Sequence, residues 1–215
     1  MTEVKSGTYE SSRLLKILGL YFLISFLLGA FSLIDENSPS LSFLLGFFFY
    51  CFFLYYMISA MGFEAFCHNP ALSIKKQDIP RSALFVLLNI LFAVVYVSVI
   101  SVPPSDMWDV LPEYFHISHL IAFLSLCLAA PLVEELLFRD FIWKIFERKN
   151  YSKRKILILT SIIFALAHLE LVRLPILLVT GLLLGVLRQR TGRLGASILA
   201  HFLINLIAFC ANIKG

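Results

Sequence analysis

Charged side chains are scarce in this chain, and their scarcity excludes an ordinary soluble domain. Asp, Glu, Lys and Arg make up 15% of the 215 residues, whereas soluble domains carry about 25%. Hydrophobic residues make up 60%, the mean hydropathy is +0.87, and phenylalanine alone occurs 21 times. A soluble protein of this size could not hide so much apolar surface in one core. The sequence therefore predicts an integral membrane protein with the lipid bilayer as its solvent.

A cysteine framework is also missing. The four cysteines form no CxxC pair and no Cys/His zinc spacing, so we expect neither a disulfide scaffold nor a structural zinc site. Cys51, Cys67, Cys127 and Cys210 lie in or beside apolar runs, and we expect all four to be small buried side chains. The net charge of +4 is modest, and no nucleic-acid partner is expected.

Apolar runs fill most of the sequence. They cover residues 14–34, 41–63, 83–102, 117–146, 156–169, 175–187 and 194–213. A membrane-spanning helix needs about 17–25 apolar residues, so we expect other helices to shield the short fifth and sixth runs. Only helices and closed barrels span a bilayer, and the runs lack the alternation of barrel strands. The predicted fold is an all-α, polytopic membrane helical bundle of about seven (six to eight) transmembrane helices.

The loops between the runs alternate in charge. Lys and Arg precede the first run and recur after the second, fourth and sixth, whereas only Arg173 and Lys214 lie on the acidic side. The positive-inside rule then places the N-terminus in the cytoplasm and the C-terminus outside. Residues 1–13 are predicted to be a cytoplasmic segment and residues 14–215 a single transmembrane helical domain. Gly181 and Gly185 form a GxxxG spacing that permits close helix packing, within one chain or between chains.

Charged residues interrupt the fourth run, among them Glu134, Glu135 and Arg139. An ionisable side chain at the bilayer centre costs at least about 2.5–3.5 kcal/mol, which makes each one a candidate functional residue. Glu135 and Arg139 are four apart with the acid first, the favourable order for a helical ion pair, so we expect them to neutralise each other. Glu134 points about 100° away and has no local partner. Pro131 can kink the helix one turn earlier. The alternative is that both acids mark a helix end at the membrane interface.

Polar residues also lie inside the fifth and seventh runs. Phe164 and His168 share one helical face, and so do His201 and Asn205. Taken by itself, His168 is more often a packing residue than a catalytic one. The His201–Asn205 pair, taken by itself, could equally serve to hydrogen-bond neighbouring helices, at about 0.6 kcal/mol per bond. Measured from the cytoplasmic helix ends, Glu134 lies roughly 20 Å deep, His168 roughly 18 Å and His201 roughly 10 Å. These overlapping layers predict that the side chains meet in the cytoplasmic half of the membrane.

The motifs EExxxR, FxxxH and HxxxN, in this order on successive helices, resemble the CPBP family. That family includes the CAAX-prenyl endopeptidases of the Rce1 type and the bacterial Abi proteins. The resemblance covers about residues 120–210 and implies an intramembrane endopeptidase. It implies that Glu134 activates a water with the help of His168. His201 and Asn205 would donate hydrogen bonds to the oxyanion, and the Glu135–Arg139 pair would support the site.

Two other interpretations stay open. Glu134, His168 and His201 could be three ligands of a catalytic zinc with an open position for water. The HExxH signature of zinc proteases is absent, however, and we favour a mechanism without a cofactor. A protein without enzymatic activity is the second alternative, either a proton-coupled transporter or a bacteriocin immunity or scaffold protein. Asn205 separates these classes, because an amide cannot relay a proton but can donate to an oxyanion.

The resemblance also indicates the partners and the location. The expected partner is a membrane protein or peptide substrate, and whether the substrate is prenylated stays open, as does the oligomeric state. The shortness of the chain is more similar to the bacterial members, so the bacterial cytoplasmic membrane is the expected location.

Overall fold

The computed structural model describes residues 39–100 and 117–212, together with residues 16, 19–21, 23 and 24. The described residues form helices joined by short turns, and no strand occurs among them. The predicted all-α membrane bundle is confirmed. Most of the first apolar run and all of the acidic loop at 101–116 lie outside the described residues.

The described helices follow the second to seventh apolar runs. They are α1 (Pro39–Met61), the short α2 (Phe63–Cys67), α3 (Asp78–Ile100), α4 (117–148), α5 (Lys153–Ala167), α6 (Leu174–Thr191) and α7 (Leu194–Asn212). A 3₁₀ turn at Pro70–Leu72 connects α2 to α3.

Four of the described helices are long and apolar enough to cross a membrane. These segments are Asp78–Ile100, His119–Arg148, Leu174–Thr191 and Leu194–Ala211, and α1 contains a shorter apolar stretch at Leu44–Ser59. The sixth run therefore forms a longer helix than its apolar residues alone indicated, because α6 continues to Thr191. Gly192 ends it in the left-handed conformation, at φ 67°, which glycine adopts at little cost.

Helix α5 is the short one. Its 15 residues span about 22 Å, less than the hydrocarbon core of about 30 Å. The prediction that other helices shield α5 is correct for one face only. Ile158, Ile162 and Leu166 form a stripe at four-residue spacing and are between 38% and 51% exposed. Since α5 ends at Ala167, His168 lies at the helix terminus rather than in the middle of a span.

Helix α4 is irregular around its acidic residues. It contains two π-helical stretches, Phe123–Ala129 and Glu135–Ile142, separated by the α-helical segment Ala130–Glu134. Within the second stretch, Leu136, Leu137, Phe138 and Arg139 are all fully buried. This part of α4 is therefore enclosed by the rest of the bundle, and its acids do not mark a helix end at an interface.

Close helix packing places α6 against α5. A side chain at Gly181 would lie 3.1 Å from the Cα atom of Ser161, and one at Gly185 would overlap the side chain of Leu157. The GxxxG spacing thus packs within one chain.

An ion pair ties the start of α3 to the turn between α6 and α7. Arg193 donates from Nε to Oδ2 of Asp78 at 2.7 Å and from Nη2 to Oδ1 at 2.5 Å. These hydrogen bonds raise the pKa of the Arg193 guanidinium above its usual value. Two loops predicted to lie on the same side of the membrane therefore meet at one end of the bundle.

The cysteines differ from the prediction in one respect. All four are free thiols, but only Cys127 is buried, whereas Cys51, Cys67 and Cys210 are exposed on the protein surface. An apolar run does not make each of its residues buried, because a membrane helix turns one face towards lipid.

Candidate active site

Three side chains from three helices converge at one point. Glu134 comes from α4, His168 from the end of α5 and His201 from α7. The Nε2 atoms of His168 and His201 each lie 3.8 Å from Oε2 of Glu134. The Glu134 and His201 side chains are 5% and 4% exposed, whereas His168 is 25% exposed. The structure thus brings together three of the side chains that the motifs singled out, with His168 on the more open side.

The hydrogen bonds of the two imidazoles fix their tautomers. Nδ1 of His168 lies 2.8 Å from the carbonyl oxygen of Phe164, and Nδ1 of His201 lies 3.0 Å from Oε1 of Glu135. The Phe164 carbonyl can only accept, and so can the Glu135 carboxylate that pairs with Arg139, so each Nδ1 carries the hydrogen and donates it. In a neutral imidazole the Nε2 lone pair then points towards Glu134. A carboxylate oxygen faced by two such lone pairs calls for a proton, a water or a cation between them.

Glu135 has two partners on one oxygen. Its Oε1 atom accepts from Nδ1 of His201 and lies 3.2 Å from Nη1 of Arg139. The predicted Glu135–Arg139 ion pair is present, and both side chains are fully buried. The expectation that the two charges simply neutralise each other is incomplete, because Glu135 also holds His201. Arg139 in turn donates from Nη2 to the carbonyl of Gly181 at 3.2 Å.

Phe164 is the packing centre of the site. Its ring centroid lies 4.7 Å from that of His168 and 5.8 Å from that of His201. The guanidinium carbon of Arg139 lies 4.3 Å from the same ring centroid. Because the Phe164 carbonyl also accepts from His168, this one residue orients both imidazoles. The FxxxH spacing predicted that Phe164 and His168 share one helical face. It predicted neither the hydrogen bond between them nor the contacts to the other helices.

Tyr50 is a site neighbour that the sequence did not indicate. Its hydroxyl donates to Oε1 of Glu134 at 3.2 Å, from helix α1. Tyr50 lies within a dense run of aromatic residues, FFFYCFFLYY, at positions 47–56. In such a run, no local pattern distinguishes the one hydroxyl that reaches a carboxylate.

The side chain of Asn205 forms a hydrogen bond with the backbone of α4. Its Nδ2 atom donates to the carbonyl of Leu126 at 2.8 Å. Nearby, the amide of Ala130 donates to the carbonyl of Ser125, five residues back. The next acceptor in that pattern is Leu126, and its donor would be Pro131, which has no N–H. Asn205 therefore supplies the donor that the proline lacks and links α7 to α4.

The proposed zinc ligands can be tested against these distances. Two ligand atoms of a tetrahedral zinc, each about 2.1 Å from the metal, lie about 3.4 Å apart. The two separations here are 3.8 Å. The Nδ1–H groups donate to oxygen, as they do in zinc-bound histidines, so the ligand types fit although the spacing is too wide. Among the described residues, no group of three or more His, Cys, Asp or Glu side chains is arranged to hold a metal ion. The residue types therefore suit zinc, whereas the separations as placed are about 0.4 Å wider than tetrahedral coordination requires.

Comparison with known families bears on the same part of the chain. A family model described as type II CAAX prenyl endopeptidase, Rce1-like, matches residues 116–207. No curated protein and no solved structure gives a significant match. The matched region contains Glu134, His168, His201 and Asn205, whereas Tyr50 lies outside it. The match supports a protease that acts on a membrane-associated protein or peptide. The resemblance predicted from the three motifs is thereby confirmed, and residues 116–207 of this integral membrane protein are Rce1-like.

Proposed function

We propose that the protein is an intramembrane endopeptidase that hydrolyses a peptide bond with a water activated by Glu134 and His168, without a metal. One observation carries this proposal. A buried carboxylate oxygen of Glu134 faces the Nε2 atoms of two histidines at 3.8 Å each. A water hydrogen-bonded to that oxygen would lie within reach of both imidazoles, which is the geometry that general-base catalysis requires.

The hydrolytic step begins with the water. Its oxygen attacks the scissile carbonyl carbon while one of its protons passes to Oε2 of Glu134. The new C–O bond leaves a negative charge on the former carbonyl oxygen. When the C–N bond breaks, the proton passes to the leaving amine, directly from Glu134 or through Nε2 of His168. The partial exposure of His168 suits it to the side where substrate enters.

His201 is proposed to stabilise the oxyanion as an imidazolium. Because Nδ1–H donates to Glu135, a second hydrogen on Nε2 makes the ring a cation. The charges of Glu135 and Arg139 then enter the net charge of the buried cluster. Glu134 and Glu135 contribute two negative charges, and Arg139 with a protonated His201 contributes two positive ones. A neutral cluster is the favourable state for buried charges, and the cationic Nε2–H is a strong oxyanion donor.

Asn205 is proposed to share the oxyanion role. One of its two amide hydrogens donates to the carbonyl of Leu126, and the other stays available for a substrate oxygen. Fixing the amide through one hydrogen is a means of orienting the second, as preorganised donors in such sites require.

The substrate is proposed to be a membrane-associated protein or peptide, and a prenylated CAAX tail is one candidate because of the matched family's description. We propose that the site opens to the cytosol or the inner leaflet of a bacterial cytoplasmic membrane, and the alternation of basic loops supports a position nearer the cytoplasmic face.

The test compares protein termini in membranes that contain the wild-type protein or Glu134→Gln. We expect a defined set of new termini in the wild type that the variant lacks. Proton-coupled flux by the purified protein, with identical termini in both membranes, would contradict the protease and favour a transporter.

A further inference from the structure

Both oxygens of the Glu134 carboxylate have a neighbouring polar group. The neighbours of one oxygen lie within the region that the family model matches, and the neighbour of the other lies outside it. Oε2 faces the two histidines, whereas Oε1 accepts from the hydroxyl of Tyr50. The terminal torsion of a glutamate is broad and roughly two-fold. A buried carboxylate without a donor on one oxygen can therefore turn and present either oxygen, or neither, to the water.

Tyr50 is itself well placed for a fixed contact. Its ring packs against Phe49, with centroids 5.4 Å apart. Phe53 and Met57, one and two turns along α1, are almost completely buried in the core that also contains Phe138. Helix α1 is thus anchored against α4, and the Tyr50 hydroxyl is held beside Glu134.

The contact joins parts of the chain that are far apart in sequence. Tyr50 and Glu134 are separated by 84 positions, and the family match begins at residue 116. A packing role alone would be met by a phenylalanine, since the surrounding contacts of the ring are apolar. A phenylalanine lacks the hydroxyl, so it cannot donate to Oε1 of Glu134.

We propose that Tyr50 is a positioning residue for the hydrolytic base. It holds Oε1 of Glu134 so that Oε2 stays directed at the water between His168 and His201. This inference rests on the proposed function, because it assigns Tyr50 a role through Glu134. The O···O distance of 3.2 Å is long for a bond to a carboxylate, and such catalytic contacts tighten when substrate binds.

The experiment uses four full-length proteins in lipid vesicles: wild type, Glu134→Gln, Tyr50→Phe and Tyr55→Phe. Tyr55 is the matched control, because it lies on the same helix and is 70% exposed. The probe is a fluorogenic peptide that covers a terminus lost from Glu134→Gln membranes. We expect Tyr50→Phe to lower kcat about 10- to 100-fold with KM nearly unchanged, as misplacement of a catalytic group does. Tyr55→Phe should match the wild type.

A second readout separates positioning from loss of folded protein. Isotope-edited infrared spectra of glutamate-labelled protein contain a carboxylate band that Glu134→Gln removes. Tyr50→Phe should shift that band, because the carboxylate loses a hydrogen bond, and Tyr55→Phe should not. A kcat within twofold of Tyr55→Phe, or a lower kcat with an unshifted band, overturns the role of Tyr50 alone. If no termini depend on Glu134, the proposed function fails and this inference fails with it.

Discussion

The Nδ1–H group of His201 donates to Oε1 of Glu135 at 3.0 Å, and the same oxygen lies 3.2 Å from the guanidinium of Arg139. The carboxylate of the predicted Glu135–Arg139 ion pair therefore also accepts a hydrogen bond from a histidine on another helix, His201. Stability and catalysis depend on the same carboxylate, and they can be separated by substitution.

Glu135→Gln should lower both activity and stability. The amide keeps the shape but leaves Arg139 as an unpaired buried cation, which costs about 3–5 kcal/mol. The imidazolium of His201 also loses its anionic partner, so we expect kcat to fall about 100-fold or more. Thermal unfolding and peptide cleavage in vesicles measure the two effects.

The double variant Glu135→Gln/Arg139→Gln separates the effect on stability from the effect on activity. It removes both charges, so most of the lost stability should return while the activity stays low. A double variant with restored cleavage would show that Glu135 serves only to neutralise Arg139.

Asn205→Ala should also have two separable effects. It removes the donor to the Leu126 carbonyl, at a cost of about 1 kcal/mol for one hydrogen bond, and it removes the proposed oxyanion donor. Pro131→Ala offers a backbone N–H to the same carbonyl. In a Pro131→Ala background, we expect the stability cost of Asn205→Ala to shrink while its loss of cleavage persists. If the loss of cleavage also disappears in the Pro131→Ala background, Asn205 only holds α7 against α4 and is not an oxyanion donor.

Asp78→Asn should destabilise the bundle without touching the chemistry. The Asp78 side chain is fully buried and its partner Arg193 is 14% exposed, so the neutral amide leaves a largely buried guanidinium unpaired. We expect a lower melting temperature, because the charge-assisted hydrogen bonds from Arg193 to the carboxylate are lost. Cleavage per folded molecule should equal the wild type at a temperature where both are folded. A selective loss of kcat would mean that the site depends on this remote pair.

Gly181→Ala should be costly, because the nearest atoms are the Cα, Cβ and carbonyl oxygen of Ser161 at 3.1–3.2 Å. Overpacking of this kind costs about 1–3 kcal/mol, and the carbonyl of Gly181 also accepts from Arg139. Gly46→Ala is the matched control, since its nearest neighbour is the Ser125 hydroxyl at 3.7 Å, an ordinary contact. Thermal unfolding of both variants in the same detergent checks the difference. Equal melting temperatures would contradict the close approach of α5 and α6.

Periodicity and hydropathy sufficed for the helices, because lipid forces every apolar run to satisfy its own backbone. The four-residue spacings also indicated which polar side chains share a face, and with them the Glu135–Arg139 pair. They did not reveal Tyr50, since its contact depends on how α1 packs against α4. They also missed the second partner of Glu135, which requires the relative rotation of α4 and α7. The exposed cysteines show the same limit, because composition does not tell the lipid-facing side of a helix from the inner side.

The most direct measurement is cleavage by purified protein in vesicles after exhaustive chelation, with wild type and Glu134→Gln compared on the same peptide. The peptide covers a terminus that wild-type membranes contain and Glu134→Gln membranes lack. The proposed mechanism predicts that the chelated wild type retains its full rate and that Glu134→Gln is at least about 1,000-fold slower. Equal rates for the two proteins would contradict the role of Glu134, and loss of cleavage on chelation that a divalent metal restores would contradict the metal-free mechanism.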